Sequence, residues 1–283
     1  MFYDEIKKYD WDSTTQSIMA KTDDDVRRAL GKQRCDIDDF MALISPAAEK
    51  YLEQMARLSR KLTRERFGKT TSMFIPVYIS NSCANSCVYC GFHVQNKMKR
   101  TVLNEEQIIA EYEAIKRLGP FDSILVLTGE NPKVASVKYI GRALELAKPY
   151  FNNLQVEVMP LSTDDYSFLR DKGLNGVVCF QETYNEKNYK NYHPRGPKSD
   201  YQWRVNGYDR MGMAGVHKIG MGVLIGLEDW RTDATMLASN DGALENLNTL
   251  TRAFLDPHMH TNGVANPHFG QLFLHVLARQ SLY

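Results

Sequence analysis

The chain has 283 residues, of which 43% are hydrophobic and 24% charged, ordinary globular proportions with room for one large α/β domain or two small ones. Lys and Arg number 35 and Asp and Glu 34, so the net charge of +1 gives no general pull toward nucleic acid or an anionic membrane. The charged opening MFYDEIKKYDWD has no apolar core of a secretory signal, and no run approaches the roughly 20 apolar residues of a membrane span. Five cysteines are sparse and odd in number, so the expected setting is a reducing cytoplasm rather than a disulfide framework.

The first seventy residues or so read as helical. Stretches 22–29 and 45–67 are rich in Ala, Leu, Arg, Lys and Glu, and Ala48, Leu52, Met55, Leu58 and Leu62 recur at helical spacing before Gly68. From Phe74 the pattern changes to apolar strands alternating with helices. The first strand is 74–80. Asn104 then opens a helix with Gln107 completing a capping box and Gly119 past its end. Residues 122–128 form an apolar run suited to a strand buried on both faces. A helix over 135–148 and a strand over 154–159 follow, then a short helix capped by Ser162 or Thr163 and a fourth strand over 174–181. Asp200 caps a helix running to Ala214, and 216–227 contains the fifth strand. This alternation, without internal hairpins, predicts a parallel α/β sheet or barrel. Active sites in such barrels lie on the loops after the strands, here after Ser80, Thr128, Met159, Gln181 and Leu227.

The loop after the first strand carries three of the five cysteines, Cys83-Ala-Asn-Ser-Cys87-Val-Tyr-Cys90. Three thiolates at C-x3-C-x2-C spacing hold three irons of a cubane [4Fe–4S] cluster from one loop, and leave one iron open to a small ligand. Structural zinc is the nearest alternative. It usually takes four ligands, commonly as two paired motifs, and there is no second cysteine pair.

With Tyr89 ahead of the last cysteine, the stretch resembles the C-x3-C-x-aromatic-C motif of the radical S-adenosylmethionine superfamily. The resemblance implies a [4Fe–4S] cluster on Cys83, Cys87 and Cys90 with S-adenosyl-L-methionine chelated to its open iron. It also implies reductive cleavage of that cofactor to a hydrogen-abstracting 5′-deoxyadenosyl radical. Thr128-Gly129-Glu130 stands where the family has a Gly-Gly-Glu type motif that meets the methionine amino group, with Thr in place of the first Gly. The stretch from Gly222 through Gly226 to Asp229 resembles the G-x-I-x-G-x-x-E segment that lines the adenine, with Leu224 and Asp229 as departures. Gly220, Gly222 and Gly226 are not a dinucleotide fingerprint, because they lie within a strand and not on a strand-to-helix turn.

From Met1 to about Ala238 the chain is similar to the tyrosine lyases of thiamine biosynthesis, the 2-iminoacetate synthases. The motifs are CANSCVYCGFH, ILVLTGE, FQETYN, YHPRGPKSDYQWR and GMGVLIGLEDWRTDA. The similarity implies a partial (β/α) TIM-like barrel over 71–238, a helical N-terminal extension over 1–70 and a divergent tail over 239–283. It further implies cleavage of L-tyrosine between Cα and Cβ to 2-iminoacetate (dehydroglycine) and 4-methylphenol. A flavodoxin-type donor and a thiazole synthase that takes up the imine are the implied partners. Glu182 and Tyr184, after the fourth strand, are the candidate catalytic residues, with Glu182 assigned to ribose hydroxyls or the substrate amine. Arg204 is assigned to the cofactor carboxylate, for which its guanidinium forms a bidentate fork; for Glu182 and Arg204 alike a surface ion pair is the plainer reading. His193 reads as a solvated rim histidine, Cys35 and Cys179 as core thiols, and His258-x-His260 as part of the tail rather than a metal site.

Three alternatives stand beside this reading. The related tyrosine lyase of hydrogenase cofactor assembly carries a second, C-terminal cysteine cluster, whereas no cysteine follows Cys179 here. A non-enzymatic iron–sulfur carrier would not need the adenosyl-site motifs. The third alternative is a catalytically incomplete remnant of the lyase. After Ala238 the family's continued helix, further barrel strand with an arginine-rich motif and C-terminal segment are not visible, which resembles a truncation or shifted reading frame. On this basis the chain is expected to keep its cluster and cofactor sites but to cleave tyrosine poorly or not at all, for want of arginines that anchor the substrate carboxylate.

Overall fold

The computed structural model describes residues 1–70, 73–239 and 271–276, the last of these as backbone. It divides into two compact units, one of Met1–Thr70, Glu182–Asn185 and Met221–Ala278, and one of Thr71–Gln181, Glu186–Gly220 and Arg279–Tyr283.

The first unit is built on short helices, α1 (Phe2–Ile6), α2 (Trp11–Met19), α3 (Asp23–Gly31), α4 (Ile37–Ile44), a 3₁₀ turn (Pro46–Tyr51) and α5 (Leu52–Phe67). Reciprocal capping boxes start α3 at Thr22 and α4 at Asp36, satisfying backbone N–H groups that a helix start leaves bare. Val26, Ala29, Leu30, Leu43, Ala48 and Met55 then close a small core. A late segment of the sequence joins these helices. The helix Trp230–Ala238 packs on α2 and α4, with Thr15 and Thr232 hydroxyls 2.8 Å apart and Arg231 Nε donating to Ile44 O at 2.8 Å. The sequence reading leaves the barrel without its last strand, and the structure corrects it: a sixth strand, Gln271–Val276, stands next to the fifth in the sheet order. The remainder of the tail, with His258 and His260, lies outside the described residues.

The second unit is the parallel sheet. Strands β1 (Phe74–Ser80), β2 (Ser123–Thr128), β3 (Asn153–Glu157), β4 (Leu174–Val178) and the first half of β5 (Lys218–Leu224) pair in chain order, all parallel. The register runs through Val77, Val126, Val156, Val177 and Ile219, which places apolar side chains in one row across the sheet. The crossovers α6 (Glu105–Leu118), α7 (Val137–Ala147) and α8 (Thr163–Asp171) begin at the side-chain caps Asn104, Ser136 and Ser162. Such βα repeats set every strand's C-terminal end at one rim, as the alternation predicted.

Two local expectations change. A further helix, α9 (Glu186–Tyr192), precedes the Asp200 cap, and the helix expected from that cap to Ala214 is two, α10 (Tyr201–Val205) and α11 (Gly207–Met213). Asn206 separates them and Gly207 opens α11, both weak helix formers. The strand expected to reach Gln181 ends at Val178, and the chain then turns at Glu182, whose φ is 73°. Among the described residues no helix is long and apolar enough to cross a membrane.

Candidate active site

The cysteine loop leaves β1 at Ser80 and is held from several sides within its unit. Ala84 N donates to Glu130 O at 3.0 Å and Asn85 Nδ2 to Glu130 Oε2 at 2.9 Å. Ser86 N donates to Arg195 O at 3.0 Å and Val88 N to Tyr192 O at 3.1 Å, so the segment after α9 braces the loop. Arg100 binds the carbonyls of Asn81, Phe92, His93 and Asn96 at 2.8–3.3 Å. An irregular loop with its backbone so satisfied is a rigid one.

Two glycines permit this packing. A Cβ on Gly129 would lie 2.3 Å from Ser82 O and 3.1 Å from Cys83 Cβ, so the close approach it allows is to the cysteine loop itself. Gly196 has φ +95°, and a Cβ there would stand 2.5 Å from Asn85 Oδ1.

Cys87 is buried, Cys83 and Cys90 are half-buried, and none is in a disulfide. Burial pushes the Cys87 thiol up to about 11; Lys198 opposes this, while Glu130 and the two other cysteines add to it. A thiol this reluctant to ionise needs a bound cation to hold it as thiolate. Among the described residues no three His, Cys, Asp or Glu side chains form a group that could share one metal ion. A cubane asks for something different, one thiolate per iron, with ligands spread more widely than around a single zinc. The three soft donors on one braced loop fit that cluster.

Beside the loop lies a buried ion pair. Arg204 is 4% exposed, and its Nη2 donates to Glu130 Oε1 at 2.8 Å while Nε donates to Phe180 O at 2.7 Å. Burial alone would raise the Glu130 carboxyl, but Arg204, Lys198 and the hydrogen bonds from Arg204 and Asn85 outweigh it and hold it down to about 2. The plainer reading of Arg204 as a surface ion pair is thus overturned, because the pair lies inside the protein. Around it, Arg204 Nη1, Thr128 Oγ1 and both amide atoms of Gln181 are buried with no hydrogen-bond partner among the described residues. Unmet polar groups at a strand-end rim cost stability unless a ligand or water meets them. Donors and acceptors of this kind fit the carboxylate and ammonium of the methionine part of S-adenosylmethionine. Gln181 was not singled out as a site residue from sequence; its one signal is an amide directly after the apolar run 177–180.

Tyr89 meets His193, and here the expectation of a solvated histidine is corrected. His193 is fully buried, stacked on Tyr189 with centroids 4.1 Å apart and meeting the Tyr89 ring edge-on at 5.5 Å. Its Nδ1 lies 3.0 Å from Tyr189 O, and a carbonyl only accepts, so Nδ1 carries the proton. Nε2 therefore accepts from the Tyr89 hydroxyl at 2.7 Å. Burial, with the Lys198 charge nearby, pushes the imidazole down to about 3, so it stays neutral. Cys179 and Cys35 are buried core thiols, as expected.

The remaining candidates belong to the first unit. Glu182 is buried at φ 73°, a conformation uncommon for a non-glycine residue, and its carbonyl accepts from Leu224 N at 2.8 Å. Tyr184 is buried with its ring edge-on to Phe2 of α1, centroids 5.9 Å apart. Gly222 lies within β5, and Gly226 follows it at φ +105° with open space where a Cβ would be. The Glu182–Asn185 segment is pinned by residues of the GLEDWRTDA motif. Asp233 Oδ1 accepts from Tyr184 N at 2.6 Å and Thr183 Oγ1 at 3.1 Å, and Glu228 accepts from Asn185 Nδ2 at 3.2 Å.

Burial raises the Asp233 carboxyl to about 8 against these hydrogen bonds, with Glu228 and Asp229 adding to the rise. A carboxyl whose folded pKa lies above its unfolded value stabilises most at low pH, and that stabilisation is lost as pH climbs from about 4 through about 8. Asp233→Asn keeps the accepting oxygen, so it is expected to flatten this slope and to gain about 1–3 kcal/mol at the alkaline end. Urea unfolding across that range checks it; an unchanged slope would mean that Asp233 is ionised throughout.

A separate cleft of about 500 Å³ opens beside α9 and α10, lined by Glu186, Lys190, Asp200 and Gln202 among others. None of the cysteines, Glu130 or Arg204 lines it.

The family model of the Radical SAM superfamily matches residues 77–237. The chain belongs to the radical SAM superfamily. Members of this superfamily use a [4Fe–4S] cluster and S-adenosyl-L-methionine, the cofactors that the loop and its rim fit. Among curated proteins, this radical SAM chain is 45% identical to the 2-iminoacetate synthase of Escherichia coli (strain K12) over 240 residues, 84% of this chain and 63% of that protein. It is 31% identical to the 3-methylornithine synthase of Methanosarcina acetivorans over 157 residues, 54% of this chain and 44% of that one. The FeFe-hydrogenase maturase HydG from Carboxydothermus hydrogenoformans superposes with a TM-score of 0.77 at 25% identity, covering 90% of this chain and 59% of HydG. The chain thus spans 63% of the length of the 2-iminoacetate synthases it matches.

Proposed function

We propose that this radical SAM protein is a carbon–carbon lyase that cleaves L-tyrosine between Cα and Cβ to 2-iminoacetate and 4-methylphenol. The observation that carries this reading is the 45% identity to a 2-iminoacetate synthase over 240 residues. When bound, the cluster and S-adenosyl-L-methionine supply a hydrogen-abstracting 5′-deoxyadenosyl radical. The chain's own residues bind and orient. Cys83, Cys87 and Cys90 hold the irons. Glu130, kept ionised by Arg204, accepts from the methionine ammonium, and the open Nη1 of Arg204 and the Gln181 amide donate to its carboxylate. The Thr128 hydroxyl and the Gly129 backbone complete that end, while Tyr89, Gly222 and Gly226 serve the adenosine. Glu182 and Tyr184 are assigned as the catalytic residues, Glu182 to ribose hydroxyls or the substrate amine. In this reading the imine passes to a thiazole synthase in thiamine biosynthesis, a flavodoxin-type protein is the reductant, and the reaction takes place in the cytoplasm.

The test is an anaerobic incubation of reconstituted, reduced protein with tyrosine and S-adenosylmethionine. 5′-Deoxyadenosine is expected together with 4-methylphenol in low yield. 5′-Deoxyadenosine alone would assign cofactor cleavage without tyrosine cleavage, the behaviour of an incomplete lyase. Formation of neither product by cluster-loaded protein would sink the proposal.

A further inference from the structure

Two rows of side chains run across the parallel sheet. Val77, Val126, Val156, Val177 and Ile219 are in register and at most 7% exposed. Successive side chains of a strand point to opposite faces, so the next residues, Tyr78, Leu127, Glu157, Val178 and Gly220, make a second row on the other face. That face is mostly apolar: Leu127 and Val178 pack with Leu125 and Phe180 in one cluster. Glu157 stands in the middle of the row, half-buried, and Tyr78 at its edge is 53% exposed. One pair deeper, the same face carries Gln155 and Lys218 on either side of Gly176. At its upper edge the face meets the cysteine loop. Phe92, two residues after Cys90, lies edge-on to the Tyr78 ring with centroids 5.4 Å apart. Burial pushes the Tyr78 hydroxyl up, and charge on Glu157 and on Cys90 adds to the rise, so both lie within electrostatic reach of that hydroxyl. Glu157 pairs with Leu127, three residues ahead of Glu130, and so lies deeper in the sheet than the groups that fit the cofactor.

A carboxylate is a poor choice for packing a mostly apolar row, because its desolvation costs what an aliphatic side chain would not. It is a good choice for holding a hydrogen-bond donor. Cleavage between Cα and Cβ takes place at the rim, where the residues that fit the cofactor lie. The amino-acid end of a tyrosine therefore stays at the rim and its ring points down the face. There Tyr78, Leu127 and Phe180 offer apolar walls for the ring, and Glu157 is the acceptor set below them. We propose that Glu157 is a specificity-determining residue, whose carboxylate accepts from the ring hydroxyl of the substrate. This inference rests on the tyrosine lyase reading above and deepens it. An acceptor in such a place discriminates strongly, because a phenylalanine ring seated there excludes water and brings no donor.

The experiment reads binding rather than turnover. Reconstituted full-length protein is saturated with S-adenosylmethionine and left unreduced, so that nothing is cleaved. It is then dialysed anaerobically to equilibrium against L-tyrosine, L-phenylalanine or 4-methylphenol, the last carrying the phenol without the amino-acid end. The wild type is expected to bind tyrosine about tenfold to a hundredfold more tightly than phenylalanine. Glu157→Leu should weaken tyrosine and 4-methylphenol and hold phenylalanine as tightly or more so, bringing the tyrosine-to-phenylalanine ratio to within about twofold of unity. Glu157→Gln keeps the shape and a neutral accepting oxygen, guards against misfolding of the leucine variant, and should give an intermediate ratio. S-adenosylmethionine affinity should be unchanged in both variants. Equal losses of tyrosine and phenylalanine, the mark of a contact to the substrate ammonium or of a structural role, would overturn the assignment, as would an unchanged ratio. Binding of neither tyrosine nor 4-methylphenol by the wild type would instead overturn the tyrosine reading on which it rests.

Discussion

Cys87→Ala is expected to abolish the iron–sulfur cluster and all chemistry that depends on it. Anaerobic reconstitution of the wild type should give about four irons and four sulfides per chain, and the variant should retain almost none. The size of the effect follows from the loop. Cys87 is its buried thiol, and in the proposed assignment each cysteine serves a separate iron, so neither Cys83 nor Cys90 would substitute for it. The same loss is expected for Cys83→Ala and Cys90→Ala. Cys179→Ala is the control. That thiol is also buried, but it follows β4 in the core, and its removal should cost about 1 kcal/mol of stability while leaving the iron content unchanged. Iron analysis, absorbance and the EPR signal of the reduced cluster decide the matter. Stoichiometric zinc with no iron uptake would overturn the assignment.

Glu130→Gln should produce the second-largest effect, in two separable parts. The first is stability. It leaves the buried Arg204 charge without its counter-ion, which typically costs about 3–5 kcal/mol. Replacing both partners, as Glu130→Gln/Arg204→Met, should recover much of that loss, since an apolar side chain leaves no stranded charge. The second is cofactor affinity. Loss of a charge-assisted hydrogen bond to the methionine ammonium should weaken S-adenosylmethionine binding by about 1.5–3 kcal/mol, and the double variant should not recover it.

The pH dependence has a definite sign. Glu130 is held down to about 2, below the ordinary carboxylate range, so its contribution to stability is complete above about 4.5 and is lost as pH falls toward about 2. The Gln variant should lack that acid limb. Urea unfolding against pH and equilibrium dialysis of the cofactor measure the two parts; an unchanged affinity would remove Glu130 from the cofactor site.

The sequence by itself determined what depends on neighbours a few positions apart. Capping at Asn104 and Ser162, the apolar run of Ser123–Thr128 and the strand–helix alternation are local signals, and each appears in the structure at nearly the expected place. The three cysteines sit on one loop, so their spacing alone carried the cluster chemistry. Even there, the break at Asn206 escaped notice, because a weak helix former is tolerated or not according to what packs around it. Tertiary structure decided what depends on residues far apart in the chain. Glu130 and Arg204 read as two separate contacts to a ligand, yet they form a buried pair across 74 positions. His193 read as solvated until its partner Tyr89, 104 positions away, and the stacked Tyr189 enclosed it. The N-terminal helices read as an extension, and Thr15 meets Thr232 across 217 positions. Burial and partnership of this kind follow from strand register and from the loops that the rim brings together. A polar side chain looks the same in sequence whether it ends in water or against another charge, and only the fold settles which.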